Sequence, residues 1–222
     1  MTEQHGLVLA LDTSTVVSVG LARDGQVVAT ARVSDRMAHV EQLTPLVSQC
    51  LTDADVSLAE VDRIVVGLGP GPFTGLRVGI VTAQVLASVR QIALRGVCSL
   101  DVLALQFLAT EPRSRGEFVV ATDARRKEVY WARYEEHGTR RDGPHVSSPD
   151  ETPRLPTVGP ATELYADRLP AVDGPRVLDP GLLAARGWSL PDAGREPLYL
   201  RRPDAAEPSR RKSVLHHRPV RP

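Results

Sequence analysis

IVVGLGPGPFTGLRVGIVTAQVLASV, residues 64–89, decides how the rest of the chain is read. It opens as a short apolar strand and breaks at Gly67, Gly69, Pro70, Gly71 and Pro72. From Thr74 it runs on as a long helix. Glycine tolerates positive φ and proline pre-sets φ for a first helical turn, so the run forces a sharp strand-to-helix exit. On the helix, Gly75, Gly79, Ala83 and Ala87 recur every fourth residue, with Leu76, Ile80 and Leu86 beside them. Such a stripe lets another backbone come close. Glycine inside a helix costs about 1 kcal/mol relative to alanine, so the stripe belongs to a helix that is packed against. Helix packing on the chain's own sheet accounts for it, and a docking face for a second protein is the sharper alternative. The turn is not a nucleotide loop. No lysine follows it as a P-loop needs, and Thr74 stands where the last glycine of a dinucleotide fingerprint belongs. Pro70 and Pro72 also remove two N–H donors that a phosphate cradle would use.

The chain has 222 residues, 27 basic against 27 acidic side chains and 42% hydrophobic residues, enough for a large core in one or two domains. The first residues, MTEQHG, lack the order of a signal peptide, and no apolar run approaches the ~20 residues of a membrane span. Cys50 and Cys98 are the only cysteines and form no CxxC pair, which fits a reducing, cytoplasmic setting. Lys127 and Lys212 are the only lysines, so there are few candidates for a catalytic amine. Three of the 18 prolines fall in the first 110 residues. The polar segment EPRSR, residues 111–115, therefore divides a regular half, residues 1–110, from a loop-rich half, residues 111–202. Residues 203–222 form a basic, low-complexity tail predicted to be disordered; residues 201–222 carry a net +5 and leave −5 on the body.

Residues 7–11 form an apolar strand ending in Asp12, Thr13 and Ser14. A return strand follows over 16–22, then an Asp24-Gly25 turn and a third strand over 26–33, making a β-meander. Val40, Leu43, Val47, Cys50 and Leu51 have helical spacing, with Pro45 shifting or kinking the start. Ser57 and Glu60 fit a capping box. Residues 92–97 read as a strand and 100–109 as a helix. The second half echoes the first: an apolar strand over 118–122 ends in Asp123 and a hairpin returns through Val129, Tyr130 and Trp131, the mark of a duplicated domain. Thr157 and Val158 then lead through Gly159-Pro160 into a helical stretch over 161–169.

Paired strand-acid-hairpin halves resemble the actin-like ATPase superfamily (ASKHA, ribonuclease H-like), an α/β fold of two mixed sheets flanked by helices, with the second domain reduced here. In more detail LALDTST, GLGPGPFTGLRVG, TDARRKEVYWA and PLYLR resemble the TsaB (YeaZ) family. That resemblance implies a non-catalytic subunit without a cofactor. It would bind TsaD as a heterodimer, act with TsaE in a larger complex, and support threonylcarbamoyl transfer to the adenosine next to the anticodon of ANN-decoding tRNAs. tRNA would be met indirectly or through the basic tail, and the isolated chain could form a homodimer through the same helices. The docking helices would be residues 39–51 and 74–89. The partner-binding set is then His39, Leu43, Leu46, Val47, Cys50, Thr74, Gly75, Leu76, Gly79, Ile80, Ala83 and Ala87, which turns the small-residue stripe into the partner face.

TsaD-like members carry an HxxxH metal pair on the helix after the strand matching residues 92–97; here Ser99 and Leu103 take those places, and neither can replace imidazole. No two of the six histidines stand at i and i+4. Neither a catalytic residue nor a metal site is assigned. Asp12, Thr13, Ser14, Asp123 and Gly159 would be a vestigial nucleotide site. The competing reading is an ATP-dependent phosphotransferase or ATPase in which Asp12 helps hold Mg²⁺-ATP and Asp123 positions water or a hydroxyl. The plainer reading of Asp12 is a turn carboxylate accepting backbone N–H groups after a strand.

Overall fold

The computed structural model describes residues 6–33, 40–110 and 116–201. His39, the 111–115 segment and the tail 203–222 lie outside them. β1 (Leu7–Asp12), β2 (Ser18–Arg23) and β3 (Gln26–Arg32) form the meander. β4 (Val61–Gly67) then lies parallel to β1 and β5 (Ala93–Val97) parallel to β4, giving the order β3-β2-β1-β4-β5. This is the mixed sheet of the ribonuclease H-like arrangement. β1 is buried along its whole length, and its alternation assigns each residue a different core. Leu7, Leu9 and Leu11 join Ile64 and Val66 under one pair of helices, while Val8 and Ala10 join Val65 on the opposite face.

The first face is covered by α1 (Leu43–Asp53) and α2 (Phe73–Arg90). Pro45 sits in the first turn of α1, after a 3₁₀ turn over Val40–Gln42, where its missing N–H costs nothing. The capping box closes on a 3₁₀ turn, Leu58–Glu60, with Ser57 N–H donating to Glu60 Oε2 at 2.8 Å. The opposite face meets α3 (Ser99–Thr110) and α5 (Pro180–Arg186), which fill the space between the two sheets.

The second sheet consists of β6 (Phe118–Asp123), β7 (Val129–Tyr134), β8 (Arg140–Ser147) and β9 (Thr157–Val158) in the order β8-β7-β6-β9, with β9 parallel to β6. It repeats the first four positions of the first sheet, and no fifth strand follows among the described residues. α4 (Ala161–Leu164) is shorter than the helix predicted over 161–169, because Tyr165 leaves helical geometry at φ −129° and ψ 39°. Phe118, Val120, Ala132 and Tyr134 face α3; Val119, Ala121, Val129 and Trp131 face the outer side with Ala161.

The unit predicted over 111–202 is divided between the two sheets. α5 lies on β1, β2 and β3 of the first one, so closely that a Cβ on Gly20 would stand 2.1 Å from the Pro180 carbonyl oxygen. Beyond it Leu198 N–H donates to the Leu68 carbonyl at 2.9 Å, tying residues 197–201 to the first half as well.

The small-residue stripe is corrected by the fold. Leu76, Gly79, Ile80, Ala83 and Ala87 are buried beneath α2, and Gly75 is half-buried, so these residues face the chain's own sheet and not a partner. The reason is Thr13. A Cβ on Gly79 would lie 2.3 Å from Thr13 Oγ1 and one on Gly75 3.0 Å from the Thr13 carbonyl oxygen, while Thr13 Oγ1 donates to the Gly75 carbonyl at 2.9 Å. On α1 the side chains of Leu43, Leu46, Val47 and Cys50 are likewise buried against β2 and β3. Of the predicted partner set among the described residues, Thr74 alone is exposed. Gly79→Leu should therefore destabilise the folded chain by about 1–3 kcal/mol or more through overpacking on Thr13. Urea unfolding followed by circular dichroism checks this; a stable, folded variant would return the stripe to the surface.

Candidate functional site

Asp12 ends β1 on the buried side of the strand-to-helix turn, with 1% of its surface exposed. Its Oδ1 accepts from Ser14 N–H at 2.9 Å and Ser14 Oγ–H at 2.7 Å. Its Oδ2 accepts from Ser99 Oγ–H at 2.6 Å. Ser99 Oγ in turn accepts the Gly69 N–H at 3.2 Å. One carboxylate thus joins the end of β1, the glycine turn after β4 and the first residue of α3. Gly67 makes room for it, since a Cβ there would lie 1.8 Å from Asp12 Oδ2. Burial pushes the Asp12 pKa up, against the pull of the Ser14 and Ser99 hydrogen bonds. Both oxygens are engaged by the protein and turned away from solvent, a poor posture for a magnesium ligand, so the turn-carboxylate reading fits its surroundings.

Asp123, at the end of β6, is exposed and has other partners: Oδ1 accepts from Arg125 N–H at 3.0 Å and from Tyr165 Oη–H at 3.3 Å. The two acids share no hydrogen-bonded neighbour in these networks. Thr13 and Ser14 are buried, Thr13 against α2 and Ser14 on Asp12. Gly159 turns the chain from β9 into α4 at φ +108°, with its α-carbon pressed on the Ala121 carbonyl, where any side chain would clash. A cavity lined by Thr30, Arg32, Gln106, Val177, Asp179 and Pro180 opens at the β3 edge and includes none of these residues. Among the described residues no three His, Cys, Asp or Glu side chains gather as a metal site would require. Burial raises the Cys50 thiol to about 11 and the Cys98 thiol to about 12, so neither is a ready nucleophile.

Ser99 and Leu103 lie on α3, both buried, Ser99 on Asp12 and Leu103 in the core between the sheets. An acid on that helix, Asp101, accepts from Tyr134 Oη–H at 2.8 Å and pairs with Arg140 at 3.4 Å, fastening α3 to the second sheet. The sequence reading passed over this cluster. Its members are far apart in the chain, and nothing but the packing of α3 on β7 brings them together.

It also passed over the outer face of α2. Val81, Val85 and Val89 stand one turn apart and are 53%, 54% and 75% exposed. The same four-residue spacing was legible in the sequence, but the glycines and alanines drew the assignment. β-branched residues are poor helix formers on a solvated face, and three in line make an apolar stripe that the chain's own packing leaves exposed. Beside them α1 turns Thr44, Pro45, Ser48, Gln49 and Thr52 outward.

A family described as TsaD, tRNA N6-adenosine threonylcarbamoyltransferase, matches residues 32–179. The tRNA threonylcarbamoyladenosine biosynthesis protein TsaB of Escherichia coli is 34% identical over 191 residues, covering 85% of this chain and 75% of that protein. The chain belongs to the TsaB family. Its fold is shared with a solved structure of YeaZ from Pseudomonas aeruginosa, at a TM-score of 0.71 and 29% identity over 88% of this chain and 100% of that one. A Mycobacterium tuberculosis relative described as uncharacterized is 43% identical over 208 residues, 91% of this chain and 95% of that protein. No helix among the described residues is long and apolar enough to cross a membrane.

The Asp12 network yields a signed pH prediction. The folded state holds the Asp12 proton more tightly than the unfolded chain, so this group's contribution to stability falls as pH rises from the ordinary 3.8 through the raised folded value. Asp12→Asn removes that dependence while keeping the Oδ1 acceptor. Its stability relative to the parent should therefore increase as pH rises above the ordinary 3.8, as denaturant titrations at several pH values will read. Ser99→Ala leaves Asp12 Oδ2 and the Gly69 N–H without this partner and should cost about 1–3 kcal/mol at neutral pH.

Proposed function

We propose that this chain is a non-catalytic subunit of the machinery that makes threonylcarbamoyladenosine in tRNA, and that it pairs with a TsaD-type transferase through the outer faces of α1 and α2. The observation that carries the pairing is the valine line Val81, Val85 and Val89 on an otherwise well-packed helix. Covering each of these half-exposed side chains is worth about 1 kcal/mol, and the polar outer residues of α1 supply the rim that such interfaces have. The TsaD match over residues 32–179 supports a partner built on the same fold, whose own helix pair would meet this one. A homodimer of the isolated chain would use the same face. Action with TsaE in a larger complex and contact of the tail with tRNA belong to this reading through the family; the tail lies outside the described residues. The buried, fully engaged Asp12 and the Tyr165-bound Asp123 favour a scaffold over the phosphotransferase or ATPase reading.

The Val85→Asp variant should remain folded by circular dichroism and lose at least tenfold in affinity for the TsaD-type partner, measured by pull-down and titration calorimetry. Threonylcarbamoyl transfer by that partner should require this chain and fall with the variant. Wild-type binding by Val85→Asp would remove the α2 face from the interface. Transfer to tRNA by this chain alone would end the non-catalytic reading.

A further inference from the structure

The loop between β6 and β7 breaks a local rule in a way the partner face does not explain. Arg125, Arg126 and Lys127 are consecutive, exposed, and all left-handed, at φ 60°, 54° and 63°. Each such residue costs roughly 1 kcal/mol, and glycine, asparagine or aspartate would fill these positions more cheaply. The conformation is held from several sides. Arg125 N–H donates to Asp123 Oδ1, Glu128 N–H to the Arg125 carbonyl at 3.0 Å and Ala124 N–H to the Glu128 carbonyl at 3.0 Å. Strain that the surroundings maintain at an exposed loop of three long cations points to a use for those cations.

Arg201 connects this loop to two further features. Its Nη1 donates to the Ala124 carbonyl at 3.0 Å and its guanidinium pairs with Glu128, so the last described residue is fastened to the base of the hairpin. The residues that follow in sequence, 202–222, carry six more arginines and lysines against two acids. Two residues before Arg201, the Tyr199 ring, 36% exposed, stacks on Phe73 with centroids 4.6 Å apart. The Arg77 guanidinium lies 4.3 Å from the Phe73 ring centroid, and its Nε–H donates to Tyr199 Oη at 3.1 Å. Arg77, Arg125 and Lys127 thus stand with Arg201 on a chain whose residues 1–200 carry a net −5. An aromatic and guanidinium stack beside a local basic reversal is the chemistry that holds RNA: cations on phosphates, planar groups on an unpaired base.

We propose that the β6–β7 loop and the Phe73–Tyr199–Arg77 stack form an RNA-binding patch, with Arg125 and Lys127 taking phosphates and Tyr199 offering a ring to a base. The inference rests on the reading that the chain serves tRNA modification, and it names where on this subunit the RNA is held. The test uses the full chain with its TsaD-type partner and a tRNA transcript decoding an ANN codon, with binding measured across a potassium chloride series. Arg125→Gln/Lys127→Gln should weaken binding several-fold and make the log–log salt slope shallower by about one to two. Tyr199→Leu should weaken binding about tenfold with the slope unchanged, the signature of a stacking contact. Partner pull-down should stay at wild type for both variants. Unchanged affinity and slope in the double variant overturns the proposal, as does a loss of salt dependence confined to deletion of residues 209–222. Loss of partner pull-down with unaltered tRNA binding by the isolated chain would show the loop to be a protein contact and overturns it too. The Val85→Asp arm reads the pairing separately, so failure of the patch and failure of the scaffold reading are told apart.

Discussion

The Asp12 carboxylate sits where three parts of the chain must meet, and their arrangement follows from keeping it satisfied. Ser14 fixes the turn after β1, Ser99 fixes the start of α3, and Gly67 leaves the space into which the carboxylate turns. Burial of such a group without partners would cost several kcal/mol, so the donors around it are conditions for the fold rather than additions to it. With α3 anchored at its first residue, its remaining buried face is delivered to the gap between the sheets. There Asp101 meets Tyr134 and Arg140 of the second half. Asp12 and Asp101 therefore both hold sheets and helices in register.

α2 divides its labour between its two sides. On the inner side Gly75 and Gly79 leave room for Thr13, and Leu76, Ile80, Ala83 and Ala87 are buried with them. The outer side keeps Val81, Val85 and Val89 in view of solvent. A helix that is apolar on both sides has two faces to satisfy. The first is met by the chain's own sheet, and the second is left exposed. Members of the TsaB family are named for tRNA threonylcarbamoyladenosine biosynthesis.

The second half repeats the first four strand positions and keeps at the fifth only a parallel bridge between Thr157 and Ala171, followed by no long helix among the described residues. Its inner face borrows α3 and α5, and the chain after Leu178 returns to cover the first sheet. The consequence is a cross-connection near residues 197–201, where Leu198 is tied to Leu68, Tyr199 rests on Phe73, and Arg201 holds the β6–β7 hairpin. Residues from both halves and from the C-terminal stretch of the described chain are thereby assembled on one surface.

Much of this was legible in the residues. The meander, the parallel β4, the long α2 and the repeated strand-acid-hairpin were readable because period-two and period-four patterns and turn residues act locally. The serine and glutamate of the capping box were legible for the same reason. The direction each helix faces was not. A stripe of small residues at four-residue spacing is compatible with a sheet or with a partner, and what decided it was Thr13, 66 residues away from Gly79 in sequence and in contact with it only after β1 and α2 pack. The valines had the same spacing and the opposite fate. The partners of Asp12 and Asp101, and the return of α5 to the first sheet, were equally beyond local pattern, since they depend on which surfaces the folded sheets leave open. Sequence determined the elements and their family; tertiary packing alone decided which of two apolar faces is core and which is left exposed.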